Sequence, residues 1–285
     1  MNSPSPATPS PDAPRSEIPG IKQLLMGPIG TAKTSSIRSW IAAGIEVRGI
    51  FTEPSHEVVS DLKCADGFHY HYIPPAAPGW DSMLDSAKKI NTLNMKALAG
   101  LDDIDKRKYD EFMDLIKSCN RYTCDRCKKD FGDVAQWSTG VVLFCDSLTG
   151  ISEMAMNLTV GSKPVKDKGD WQIAMDQVKR FVNQIATVPR CHVVLTGHVE
   201  VELDEVAQRP KIMVSTLGKK LAPQLPIYFS DVVLAMRESG QFYWATELAG
   251  VELKPRNFPF SAKLPADIGP AILKWKSRGG FIEEV

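Results

Sequence analysis

Between Gly27 and Thr34 the chain reads GPIGTAKT, which fits the phosphate-loop pattern G-x-x-x-x-G-K-[ST] at every position but one. Gly27, Lys33 and Thr34 are in place, and Ala32 stands where the last glycine belongs. Such a loop between a strand and a helix turns successive backbone N–H groups toward phosphate. The cradle would run through Gly27, Pro28, Ile29, Gly30, Thr31, Ala32, Lys33, Thr34 and Ser35, with ATP and Mg²⁺ as the expected ligands. Lys33 would reach the β- and γ-phosphates and the Thr34 hydroxyl would face Mg²⁺. The Ala32 methyl is accommodated if the local φ is negative.

A metal-bound triphosphate also needs a carboxylate at a neighbouring strand tip, and VVLFCDS supplies Asp146 after an unbroken apolar run. The strand ending GIFTEP places Glu53 at another tip, either as a base for water or as a solvated loop glutamate. CHVVLTGH ends in Thr196, Gly197 and His198, where His198 reads as a sensor of the γ-phosphate or as a satisfied structural histidine.

These tips must be held by strands, and the pattern provides them. Ile21–Met26, Val47–Phe51, Val141–Cys145 and Cys191–Thr196 are short apolar runs, the last two suited to strands buried on both faces. Phe68–Ile73 reads as a third, edge-like strand, Asp231–Met236 and Phe242–Thr246 as two more, and Ile268–Trp275 as a closing helix. Trp171, Ala174, Val178, Phe181, Val182 and Ile185 keep a helical period. Alternating strands and helices imply a mostly parallel sheet covered on both faces. Residues 81–118 are polar and helix-rich, with Leu84, Ala87, Ile90 and Leu93 on one stripe. Residues 1–18 are Pro/Ser-rich and read as a disordered tail; 19–285 read as one ATPase domain carrying an insertion at about 80–135.

Within that insertion CNRYTCDRCKKD holds Cys119, Cys124 and Cys127, and a C-x-x-C turn presents two thiolates to one tetrahedral Zn²⁺. A structural site wants a fourth ligand, and Cys64, His69 or His71 could supply it across the fold. Reduced thiols or a redox pair are the other readings. Cys145 and Cys191 lie inside apolar strands and belong to the core. Lys+Arg and Asp+Glu balance at 34 each, which argues against a bulk polycation coating nucleic acid. No apolar run is long enough to span a bilayer, and the cysteine usage suits a cytoplasmic protein.

Taken in order, MGPIGTAKT, FTEP, LFCDSLTG, LTGHVE, STLGKKLAP and KPRN resemble the RecA-like ATPases of bacteriophages, in particular the phage nucleotide-binding group that includes single-strand annealing ATPases. The resemblance covers roughly residues 20–275. It implies an α/β RecA-like core, ATP hydrolysis, self-association into a ring or filament, and action on single-stranded DNA in the host cytoplasm. By it, Lys33 and Thr34 carry phosphate and Mg²⁺, Asp146 is the metal-binding acid, Glu53 the base and His198 the sensor. It also implies that Lys254 and Arg256 reach the γ-phosphate of a neighbouring subunit. Two mobile DNA-facing loops would lie at about 158–169 and 200–216, with Lys163, Lys166, Lys168, Arg209 and Lys211 in them and Lys219 and Lys220 just after. Asp167, Asp170, Glu200 and Glu202 alongside leave solvated loops as the other reading. A nucleotide-dependent switch contacting protein partners is the rival class, and a small-molecule kinase a more distant one.

Overall fold

A computed structural model describes residues 16–77, 79–101, 109–161, 163–204, 209–218 and 220–285. Its centre is a nine-stranded sheet. Six strands run parallel in the order β3 (Phe68–Tyr72), β2 (Glu46–Phe51), β4 (Val141–Asp146), β5 (His192–Gly197), β1 (Lys22–Met26) and β8 (Asp231–Glu238). The antiparallel strands β9 (Gln241–Ala245), β10 (Lys254–Pro255) and β11 (Leu264–Pro265) extend the β8 side.

The continuous apolar runs are buried on both faces because helices cover both. In β4, Val141, Leu143 and Cys145 enter one core, while Val142 and Phe144 enter the other. The first core packs against α4 (Glu111–Asn120), α5 (Leu148–Val160) and α6 (Lys168–Thr187) through Phe112, Leu115, Ile151, Val178 and Val182. The second packs against α1 (Ile37–Ala42) and α7 (Gly269–Lys276), where Trp40 and Trp275 lie fully buried. The expected α/β core, mostly parallel sheet and cysteine-bearing insertion are all present.

Three expectations change. Helix α2 (Trp80–Thr92) forms, followed by α3 (Met95–Ala99), but the stripe of Leu84, Ala87, Ile90 and Leu93 does not enter the core: Leu84 and Ile90 are more than half exposed. The segment read as a loop at 200–216 is largely an antiparallel ribbon, β6 (Val199–Asp204) with β7 (Arg209–Val214), rising directly from His198. Its alternation of Val199, Val201 and Leu203 with Glu200 and Glu202 is a period-2 pattern. Ser16 to Ile18, assigned to the tail, are tied to the C-terminal segment, with Ser16 N–H donating to Glu283 and Glu17 N–H to Gly279. Residues 1–15 of that tail lie outside the described residues.

A candidate phosphate-binding site at the strand tips

Parallel strands end on one edge, so the tips of β1, β2, β4 and β5 gather there. Strand β5 lies between β1 and β4, and its tip bridges the loop after β1 to the acid after β4. The loop begins with Gly27, whose backbone packs on β8; a Cβ there would meet the Ala235 carbonyl at 2.4 Å. The Thr31 hydroxyl donates to the Pro28 carbonyl at 2.8 Å and closes the turn. The amides of Ile29, Gly30, Thr31, Ala32 and Lys33 make no hydrogen bond among the described residues. Five free N–H groups on one turn leading into a helical segment form an anion cradle that suits phosphate.

Lys33 is 8% exposed and donates from Nζ to the Gly27 and Pro28 carbonyls, at 2.9 Å each. Burial pulls its ammonium below the ordinary lysine value, while Asp146 and Glu53 pull it back up. The lysine therefore spans its own loop, close to the carboxylates.

Asp146 organises the rest. Its Oδ2 accepts from Thr34 Oγ1 at 2.6 Å and from Ser55 Oγ at 2.8 Å, and its Oδ1 accepts from Thr196 Oγ1 at 2.5 Å. Thr34 and Asp146 are the hydroxyl and carboxylate that the sequence assigned to Mg²⁺, and they meet directly. The oxygen donor set fits a hard divalent cation. Beside them Glu53 accepts from Ser147 Oγ, and its other oxygen lies 3.7 Å from His198 Nε2. Its side chain keeps 34% of its surface open. His198 Nδ1 is buried without a partner. Lys33, Thr34, Glu53, Asp146 and His198, far apart in sequence, thus share one edge.

Ser55 and Thr52 were not singled out by sequence reasoning. Thr52 Oγ1 accepts from the Ser147 amide at 3.0 Å, and Ser55 holds Asp146. The hydroxyls flanking Glu53 in FTEPS were the available signal.

Lys254 and Arg256 do not join this group within one chain. β10 pairs with the start of β8, at Val232 and Asp231, on the opposite edge of the sheet. Lys254 Nζ donates to the Phe229 carbonyl at 2.7 Å, and Arg256 is exposed.

Ala32 departs from expectation. Its φ is +61°, the left-handed region in which the missing glycine would be unstrained. A Cβ there costs ~1–2 kcal/mol. Ala32→Gly should therefore raise stability by ~0.5–1 kcal/mol after the entropy that glycine gains in the unfolded chain is deducted. At roughly 2–4 °C per kcal/mol, calorimetry should show a Tm rise of ~1–4 °C. A lower Tm would contradict the strain.

The second cluster lies at the outer edge of β3. Cys64, His69, Cys124 and Cys127 bring their ligand atoms within 4.8 Å of one another. Cys119 stands outside this group, half-buried against the core, and His69 completes the four instead. His71 is engaged by Asp125, 3.0 Å away. A tetrahedral ion with Zn–S of ~2.3 Å and Zn–N of ~2.0–2.1 Å would set S···S near ~3.8 Å and S···N near ~3.6 Å. The observed Cys64–Cys124 and Cys127–His69 separations are 3.9 and 3.5 Å. The turn is fixed by Lys128 N–H to the Cys124 carbonyl at 2.9 Å, and Asp125 joins it to β3 through the Tyr72 amide at 2.7 Å.

Of the cations on the two expected DNA-facing segments, Lys163 pairs with Asp167 and Asp170, and Lys211 with Glu252. Lys166 lies 5.9 Å over the Trp171 ring. Lys168 and Lys220 are exposed, and Lys219 lies outside the described residues, as does the Arg209 side chain.

Loop, strand order and converging tips define an α/β fold with a phosphate-binding loop at the tips of a mostly parallel sheet. Among solved structures the chain is similar to the RadB recombinase, at 11% identity over 80% of each chain with a TM-score of 0.35. It is also similar to an ATPase from the type III secretion system of pathogenic bacteria (13% identity, 83% of this chain, 65% of that one, TM-score 0.39). A third is EscN of the enteropathogenic E. coli type III secretion system (13%, 76% and 43%, TM-score 0.36). Likenesses this distant say nothing of activity. No protein-family model and no curated protein matches the sequence. No described helix is long and apolar enough to cross a membrane.

Proposed function

We propose that this chain binds ATP with Mg²⁺ at the loop from Gly27 to Ser35 and hydrolyses it. The observation that carries the reading is the 2.6 Å hydrogen bond from Thr34 to Asp146, at the base of a loop whose amides from Ile29 to Lys33 make no hydrogen bond among the described residues. Bound Mg²⁺ would neutralise phosphate charge and polarise the γ-phosphoryl group. The loop amides and Lys33 then bind and orient the phosphates. Thr34 and Asp146 supply the metal-facing oxygens, and Thr196 and Ser55 hold the Asp146 carboxylate in place. Glu53, aligned by Ser147, accepts a proton from water, and His198 shares its far oxygen.

We extend the reading to single-stranded DNA as partner, in recombination, annealing or replication, and to bacteriophage origin. The resemblance of the motif series supports this, as does the β6–β7 ribbon that rises from His198, where a change at the γ-phosphate is felt first. Lys254 and Arg256 would act on a neighbour's nucleotide. Their place on the opposite edge suits head-to-tail packing, which closes into a ring or grows into a filament. A nucleotide-dependent switch with slow turnover is the second reading, favoured by the strained Ala32.

One assay separates these readings: phosphate release with and without single-stranded DNA. A rise of about tenfold or more with DNA is expected. Unchanged turnover leaves the switch reading and removes the DNA role. In the same assay Arg256→Ala and Lys33→Ala proteins, each inactive alone, should recover activity when mixed. Absence of recovery from an oligomeric mixture would remove the role of Arg256 in trans.

We further propose a structural zinc ion on Cys64, His69, Cys124 and Cys127, holding the turn of the insertion against the edge of β3.

A further inference from the structure

A cavity of about 100 Å³ opens beside Glu53, and no residue of the phosphate loop lines it. Glu53, Glu111, Glu153 and Asn157 bring polar groups to it, and Pro54 and Met154 give it apolar walls. Glu111 is the informative residue. It opens α4, is only 4% exposed, and accepts from Asn157 Nδ2 at 3.1 Å on Oε1. Its Oε2 is buried with no hydrogen-bond partner among the described residues. A buried carboxylate oxygen left unpaired is costly, and chains keep one where something else satisfies it. Among the described residues no lysine or arginine pairs with Glu111, Glu53 or Glu153.

The missing partner is therefore cationic and comes from outside the described residues. A single metal ion is the wrong shape. It would draw its oxygens to ~2.0–2.6 Å, hence close to one another. Among the described residues only the cysteine–histidine group gathers three or more such ligand atoms within 4.8 Å. The cavity is also far roomier than the ~10–15 Å³ that one water needs. A planar cation with several N–H donors around its rim spans separated carboxylates, and its weakly hydrated faces sit well against proline and methionine.

We propose that this cavity is a binding seat for a guanidinium group, held by Glu111 and Glu53 at its edges. An occupant there would fix the Glu53 carboxylate from behind and so regulate turnover. That consequence rests on the ATPase reading; the binding itself does not.

Calorimetric titration of the nucleotide-free full chain with methylguanidinium tests it, with urea as the neutral shape match and Nα-acetyl-arginine amide as the side-chain form. Methylguanidinium should saturate at one site per chain, and urea should not bind. Glu111→Gln should weaken binding at least tenfold, whereas Lys33→Ala should bind as the wild type does, even if it also shows that the ATP assignment is wrong. Binding of the arginine amide as well assigns the seat to an arginine side chain of a protein partner. Binding of methylguanidinium alone assigns it to a free guanidine. If Glu111→Gln does not fold, the Asn157 side-chain amide in the wild type must shift in NMR spectra as methylguanidinium is added. Equal binding of urea, unchanged affinity in folded Glu111→Gln, or an unmoved Asn157 signal would overturn the proposal.

Discussion

Glu53→Gln protein is expected to bind ATP within about twofold of the wild type and to release phosphate ~10²–10⁴-fold more slowly, the range for removal of a positioned general base. The substitution keeps shape and leaves Ser147 an oxygen to donate to. It touches neither the loop amides nor the Thr34–Asp146 contact, so the cradle should persist. What is lost is the proton acceptor at the open tip of β2, where a third of the side-chain surface is accessible to water. Rapid-quench measurement of the hydrolytic step, alongside equilibrium binding, distinguishes the outcomes. Full turnover in Glu53→Gln would remove Glu53 as the base. Loss of binding together with turnover would make it a structural or metal-facing residue.

The second large effect concerns the insertion. Purified protein kept reduced and free of chelator should contain about one zinc per chain, and Cys124→Ser should lose it. Structural zinc contributes ~10–16 kcal/mol in small zinc-finger peptides. Even a part of that, at roughly 2–4 °C per kcal/mol, should lower Tm by ~5 °C or more. The reason lies in what the turn supports. Cys124 is fully buried, Tyr122 beside it donates to the Gly49 carbonyl at 2.9 Å, and Arg48 stacks 4.1 Å from the Phe131 ring. Loosening the turn should therefore reach β2 without touching the chemistry at its tip. Cys119→Ser should keep the zinc, since Cys119 stands outside the four-residue group. Metal analysis decides the matter. Absence of zinc from the wild type, or its retention in Cys124→Ser, would contradict the site.

The parts of this architecture that were legible in sequence are those whose signal is local. GPIGTAKT carries its own chemistry, and VVLFC followed by Asp146 declares a strand buried on both faces with a polar tip. Cys124 and Cys127 announce a ligand pair by spacing alone. The choice among Cys64, His69 and His71 required the tertiary structure, because Cys64 and His69 approach Cys124 and Cys127 only when the short helical turn before β3 and β3 itself are in place. Cys119 was attractive through nearness in sequence, but α4 carries it to the core side. Ala32 showed that a residue type can be read while its backbone is not: the alanine was visible, its positive φ was not. Helix α2 has a good stripe, yet Leu84 and Ile90 stay more than half exposed, and periodicity cannot show what a face meets. The β6–β7 ribbon carries a period-2 alternation, whereas the resemblance implied a mobile loop there. Ser55 reaches Asp146 only because β2 and β4 are adjacent and parallel, which no local pattern specifies.

The most direct test of the central claim is ATP binding to Lys33→Ala protein, measured by calorimetry in the presence of Mg²⁺. Lys33 is the one lysine or arginine in the sequence of the loop, and a hydrogen bond to a charged group contributes ~1.5–3 kcal/mol. Wild-type protein should take up one ATP per chain. Lys33→Ala, shown to be folded by circular dichroism, should bind ~10–150-fold more weakly and release no phosphate. Wild-type affinity or wild-type phosphate release in a folded Lys33→Ala protein would contradict the account.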